Sequence, residues 1–308
     1  MNRNHPDYGK GTHHVDAELV NSAMIGGDVL IRRTVERFRQ PDYTPPKLPK
    51  AAHRLMVLTQ QSKVRLSQIV EALERDELLT SNVLKTARSP LYMSGNGIRS
   101  IRDALVRLGL NQVRNIVLQE SMRMRIFRSR EYTEPMATLN KHHVATANLS
   151  RLIAQTVGGI APETAFMAGL LHDIGITVIL LALGDLPRGE TAPKLAGVTA
   201  TIHEVHTEAS ERILELWDMP DEVRMVACFH HHPWLAPEPM QKLVSAVCVA
   251  EELATQLGYP ALTSELYCNL DRTPTAMLEQ PLCTLGLAHD DDTFQLLKEE
   301  GRKLVDLI

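Results

Sequence analysis

Residues 165–175 read AFMAGLLHDIG, an apolar run that ends in the adjacent pair His172-Asp173 and then Ile-Gly. On a helix the two side chains of such a pair point about 100° apart. One metal ion, or two sharing a bridging carboxylate, can still engage both where Gly175 ends the helix. The strongest apolar stretch, Ile174–Leu183, follows directly. It is too short to cross a bilayer, which needs about 20 residues, so the segment reads as the interior of a folded cytoplasmic protein.

Outward from this segment the hydrophobic period is helical. Ala51, Leu55 and Leu58 repeat at helical spacing, as do Leu66, Ile69, Val70 and Leu73. Glu77–Arg88 continues the pattern until Ser89-Pro90 stops it. Ser100 with Asp103 predicts a capping box opening a helix whose Ile101, Ala104, Leu105 and Leu108 share one face. Gly109 ends that helix. Asn111 is placed to cap the next, which runs through Val113, Ile116 and Val117 toward Phe127. A second helical block spans about Pro135 to Leu257, and Asp290-Asp291-Asp292 announces a last helix lined by Phe294, Leu297, Leu304 and Ile308. Sustained alternation is missing, so the expected fold class is all-α. Before residue 47 lies an extension in which Leu19–Phe38 reads as an amphipathic helix broken by Gly26-Gly27, followed by the stiff linker 41–46, PDYTPP.

With 308 residues, 44% of them hydrophobic, the chain can bury a sizeable core, and with only 4% aromatics that core rests on aliphatic side chains. A net charge of −4 gives no general attraction to nucleic acid or anionic membrane. Cys228, Cys248, Cys268 and Cys283 form no CxxC pair and read as reduced thiols. The polar N-terminus carries no signal-peptide core. Arg114, Arg123, Arg125, Arg128 and Arg130 make a basic stretch without interleaved aromatics, which reads as a solvated helix face.

The histidines fall into groups: His142-His143, His172, His203 with His206, and His230-His231-His232. Each group is expected near a helix end, about 25–35 residues apart, which suits several helices converging on one point. Neutral imidazoles and carboxylates are the donors that divalent transition metals prefer. A metal ion held this way activates water for attack at phosphorus.

Taken with LPKAAHRLMVL (48–58), ERDELLTSNVLKTARSPLY (74–92), SIRDALVRLGLNQVRNIVL (100–118), HTEASERILELWDMPDEV (206–223) and FHHHPW (229–234), the chain resembles the HDOD family, a regulatory branch of the HD superfamily of metal-dependent phosphohydrolases. The resemblance implies a two-lobed helical architecture: a domain over 47–258, divided into an N-terminal helical lobe (47–130) and an HD-like lobe (131–258). Residues 1–46 precede it, and C-terminal helices (259–308) pack on the HD-like lobe. Carried over position by position, the metal-binding set falls on His142, His172, Asp173, His206, His230 and His231. The closing aspartate falls on Glu251, in VCVAEELA (247–254). His143, His203 and His232 are expected outside the set.

Active relatives continue His-Asp-x-Gly with a lysine that meets substrate phosphate; here Ile176 and Thr177 follow. Nothing resembles the glycine-tyrosine-proline loop of the HD-GYP cyclic-dinucleotide phosphodiesterases. The resemblance therefore implies a signal-transduction module that acts by binding a signalling protein or a small nucleotide, with no membrane and no nucleic acid expected. Its centre would be mono- or binuclear with Fe, Mn, Zn or Ni. Whether it is an enzyme stays open: the alternative is a phosphohydrolase acting on a nucleotide or cyclic dinucleotide, with Asp173 catalytic.

Overall fold

The computed structural model describes residues 17–59, 64–92, 97–124, 127–186, 191–262 and 274–307. Every regular element among them is helical, so the fold is all-α, as the hydrophobic period predicts. His5, His13, His14, Arg125, Cys268 and Ile308 lie outside the described residues.

The first half of the chain builds α2 (Lys50–Thr59), α3 (Leu66–Glu74), α4 (Glu77–Ala87), α5 (Ile101–Leu108) and α6 (Leu110–Met122). Most are shorter than the roughly 12–15 residues a helix needs to persist alone, so packing must hold them. Leu55, Leu58, Ile69, Leu73, Leu79, Val83 and Ile101 are fully buried together. Caps fix where the helices begin. The Asp76 carboxylate accepts the Leu79 N–H at 3.0 Å. The Ser100–Asp103 box forms as expected, with both reciprocal bonds at 3.0 Å. Asn111 does not cap α6, because that helix starts at Leu110 directly after Gly109 and leaves Asn111 in its first turn. Nor does α6 reach Phe127; it stops at Met122, leaving Arg123, Arg128 and Arg130 on the connection to α7.

The second half is arranged around α7 (Thr133–Val157), which packs against α8 (Pro162–Leu171) and α12 (Glu238–Gln256). Between them come α9 (Ile174–Gly184), α10 (Thr199–Leu216) and α11 (Asp221–Phe229). Pro162–Gly184, whose most apolar 18-residue window has a mean hydropathy of 2.0, is long and apolar enough by composition to cross a membrane. The bend at His172-Asp173 divides it into α8 and α9, and 89% of that window is buried within the protein. A polar joint ties the two halves. The Asn115 side-chain amide on α6 donates to the Glu163 carbonyl at 2.9 Å and to its carboxylate at 2.8 Å. That carboxylate also accepts from Arg151 at 2.9 Å, and the Arg151 guanidinium lies 4.0 Å from the centre of the Phe166 ring.

The helix expected in the extension is α1 (Ala17–Phe38), and it runs unbroken through Gly26-Gly27. The glycines serve close approach instead of a break: a Cβ on Gly27 would lie 2.5 Å from Val198 Cγ1. Ile31, Val35 and Phe38 are buried, and α1 packs on α9 and α10. At the C-terminal end, α13 (Pro274–Leu285) and α14 (Asp292–Val305) close a second core with α7 and α12, in which Phe294 and Leu297 meet Leu149, Ile153, Val249 and Leu253. Asp291 caps α14, accepting the Thr293 N–H at 2.8 Å. Gly301 and Val305 complete its buried face, while Leu304 is only half-buried.

Candidate metal centre

All seven side chains named from the sequence converge. His142 comes from α7, His172 from the residue ending α8, and Asp173 from the bend before α9. His206 comes from α10, His230 from the end of α11, His231 from the following turn, and Glu251 from α12. His142 and His206 sit well inside their helices, whereas the sequence placed them at helix ends. Long α7 and α10 pass the site side-on, so a mid-helix residue reaches it. The α8–α9 break falls at His172-Asp173, two residues before Gly175, which belongs to the first turn of α9. Glycine is required there by contact. A Cβ would lie 2.2 Å from the His206 carbonyl oxygen and 2.6 Å from Ser210 N, so α9 and α10 could not approach this closely.

Hydrogen bonds to carbonyls settle the ring tautomers, since a carbonyl only accepts. Nδ1–H of His142 donates to Tyr259 O at 2.7 Å, of His172 to Gly169 O at 2.8 Å, and of His206 to His203 O at 2.7 Å. His230 Nδ1 faces Val226 O and Ala227 O, both at 3.2 Å. In its neutral form each ring then turns an Nε2 lone pair inward. These nitrogens surround the buried Asp173 carboxylate on two sides. Oδ1 lies 3.3 Å from His206 Nε2 and 3.5 Å from His230 Nε2. Oδ2 lies 3.4 Å from His172 Nε2 and 3.9 Å from His142 Nε2. Glu251 approaches His230 to 4.0 Å. Among the described residues four donor groups result, the donor atoms of each within 4.8 Å of one another; two of them, His142/His172/Asp173/Glu251 and Asp173/His206/His230, share Asp173, and a third is His230/His231/Glu251.

The chemistry of this donor set fits a cation. Nε2 of His142 faces Nε2 of His172 at 3.4 Å, and Nε2 of His206 faces those of His230 at 3.4 Å and His231 at 3.0 Å. Such acceptor pairs repel unless a proton or a metal ion lies between them. Asp173 Oδ1, fully buried, has no hydrogen-bond donor directed at it. Electrostatics divides the histidines accordingly. Burial lowers a histidine's pKa, but for His172 it is outweighed by Asp173, which lifts the ring to about 9; His206 is raised in the same way. Asp173 is held well below the usual carboxylate range, because His172 and His206 overcome its burial. Burial pushes His143 down to about 3, and burial with neighbouring imidazoles lowers His142 and His231.

His203 is closer than expected. It stacks on His206 with ring centres 5.5 Å apart, and its donor nitrogen lies within 4.8 Å of those of His206 and His231. The i, i+3 spacing on one helix face was the signal available for it. His143 is buried beside His172 but belongs to none of the donor sets, and His232 is exposed against Trp234, 5.3 Å between ring centres. Tyr259 carried no sequence signal. Its carbonyl orients His142 and its hydroxyl donates to Val305 O at 3.0 Å, linking α14 to the site.

The HDOD domain family matches residues 46–233, and the chain belongs to it. It is 22% identical to an HDOD domain protein with unknown function from Geobacter sulfurreducens, whose structure superposes with a TM-score of 0.66 over 92% of this chain and 99% of that one. A "Putative metal-dependent phosphohydrolase" from Shewanella amazonensis SB2B, 19% identical, superposes with a TM-score of 0.67 over the same shares, 92% and 99%. A "Putative signal transduction protein" from Marinobacter aquaeolei VT8, 18% identical, gives 0.60 over 92% of this chain and 63% of that one. A curated relative from Treponema pallidum (strain Nichols), an uncharacterized protein, is 24% identical over 213 residues, 67% of this chain; the chain spans about two fifths of its length (41%).

Proposed function

We propose that this protein is a cytoplasmic regulatory module that works by binding, built on an HD-like metal centre that does not turn over phosphate esters efficiently. His142, His172, Asp173, His206, His230, His231 and Glu251 would hold a divalent transition ion, or two bridged by Asp173; imidazoles outnumber carboxylates, which favours Fe, Mn, Zn or Ni. Such an ion supplies Lewis-acid charge at an oxygen of a bound phosphate. The observation that carries the reading is the mismatch at the signature: the donor atoms converge, while Ile176, in the position of the phosphate-binding lysine, is 2% exposed in the core. The name of one structural neighbour, a "Putative signal transduction protein", supports a signalling protein partner; a small nucleotide is the alternative ligand. The division proposed is 47–130, 131–258 and a C-terminal segment 259–308, with residues 1–46 in front.

The competing reading is a phosphohydrolase, favoured by the two donor sets sharing Asp173. Elemental analysis by mass spectrometry on the purified protein, with cyclic-dinucleotide and nucleotide hydrolysis assays, separates the two. Bound transition metal with turnover depressed about 100- to 1,000-fold for want of one electrostatic partner is expected. Robust metal-dependent hydrolysis, abolished by Asp173→Ala, would overturn the binding reading.

A further inference from the structure

The arginines read from sequence as a solvated helix face have a different setting. Arg123, Arg128 and Arg130 lie on the α6–α7 connection and, with Lys141 on α7, line a cleft of about 780 Å³ whose wall also includes His143 and Thr177. That volume falls within the range of small-molecule sites, roughly 300–1,000 Å³. Among the described residues, the one carboxylate within ion-pair distance of these four cations is Glu120, 3.3 Å from Arg123. Arg128 donates through Nε to the Arg123 carbonyl at 3.2 Å, which leaves its charge uncompensated.

His143 and Thr177 are buried. His143 is 1% exposed, and its Nε2 has no hydrogen-bond partner. In the tautomer with the proton on Nδ1, Nε2 is an acceptor, and an unpartnered buried acceptor is costly unless something donates to it. Four cations would take phosphate oxygens; a buried acceptor would take an N–H or O–H of the same molecule.

We propose that this cleft binds a small phosphate ester that also carries hydrogen-bond donors, with nucleotides as the chemical class. The inference rests on the reading of the protein as a binding module and names its ligand and its place. The cleft shares none of the donor residues of the metal centre, so the two sites can be tested apart. The His143 ring lies 6.2 Å from that of His142 and 6.0 Å from that of His172, giving a bound ligand a direct route to residues of the candidate centre.

The test is calorimetric titration of the full chain, in EDTA and again with Mn²⁺, using GTP, ATP, pyrophosphate and guanosine as probes. A nucleoside triphosphate should bind in both conditions, pyrophosphate more weakly, and guanosine weakest. Replacing two exposed cations (Arg130→Ala with Lys141→Ala) should weaken triphosphate and pyrophosphate binding about tenfold or more, as loss of charge-assisted hydrogen bonds does. His143→Phe should weaken the triphosphate and leave pyrophosphate within about twofold. Should His143→Phe fail to fold, the surface double variant decides alone. The proposal is overturned by binding that disappears in EDTA, by an unaffected double variant, or by binding of RNA oligonucleotides without any mononucleotide binding. Metal content measured on the same samples separates the outcomes: a failed cleft with an intact metal complement leaves the regulatory reading in place.

Discussion

The molecule divides by what it buries: helices α2–α5 bury only aliphatic and methionine side chains, whereas every buried polar or charged side chain among the described residues lies from Asn115, within α6, onward. The apolar half can be held by area alone, at about 25 cal/mol per Å² removed from water. The polar half carries His142, His172, Asp173, His206 and His230 into surroundings that penalise each unless it is partnered. Nδ1 of each imidazole has a carbonyl, but the inward Nε2 atoms and Asp173 Oδ1 have only one another. One region is held by apolar burial; the other keeps facing polar groups that need a proton or a ligand between them.

The largest effect expected from this contrast is at Asp173. Asp173→Ala removes the carboxylate common to both donor sets, so affinity for Mn²⁺ or Zn²⁺ should fall by at least about 100-fold. Equilibrium dialysis with elemental analysis measures it. Retention of a full metal complement would sink the assignment of the centre. Leu79→Ala is the counterpart in the apolar half. Leu79 is fully buried, and its truncation should cost about 2–5 kcal/mol in urea unfolding while metal content per folded molecule stays unchanged.

Acid should tell the halves apart as well. In EDTA, the depressed rings of His143, His142 and His231 make the folded state reluctant to take up protons that the unfolded chain accepts below its ordinary pKa of 6.5. Stability is then present above pH 6.5 and is lost as pH falls below it. The slope is up to about 1.4 kcal/mol per pH unit for each such ring. The raised rings His172 and His206 add nothing in that window, being protonated in both states. Urea unfolding at pH 6.5 and 5 should show the loss, and His143→Phe should reduce it. Leu79→Ala should shift both measurements equally; a changed slope in that variant would mean the halves are not electrostatically separate.

What the sequence made legible follows the same division. Helical period located the short apolar helices, and the Ser100–Asp103 box located an end, because caps and faces are local features. The converging side chains were legible through motif order, since each sits in a recognisable string. The failures were matters of distance in space. Gly26-Gly27 reads locally as a break, yet it is the point where α1 closes on Val198. Gly175 reads as a helix end, yet it lets α9 approach the His206 carbonyl. The arginines after Met122 read as a helix face, because nothing local says that α6 has ended and that Lys141 and His143 lie opposite. Tyr259, 117 residues from His142, leaves no local trace at all.

The smallest expected effect concerns α1, which covers α10 and so lies behind His203 and His206. Two kinds of contact could hold it there. Arg32 and Arg39 pair with Glu204 and Glu208 on α10, but all four side chains are well exposed, from 41% to 60%. Exposed pairs are screened and contribute only about 0–1 kcal/mol. Beneath them Ile31, Val35 and Phe38 are buried, and the Arg212 guanidinium donates to the Phe38 carbonyl at 3.1 Å, fixing the end of the helix. Arg32→Ala with Arg39→Ala should therefore lower stability by no more than about 1 kcal/mol and leave metal content untouched, as read by urea unfolding and elemental analysis. A loss of several kcal/mol, or of metal, would mean that surface charge rather than the apolar face seats α1, and that the polar half depends on its surface pairs as much as on its core.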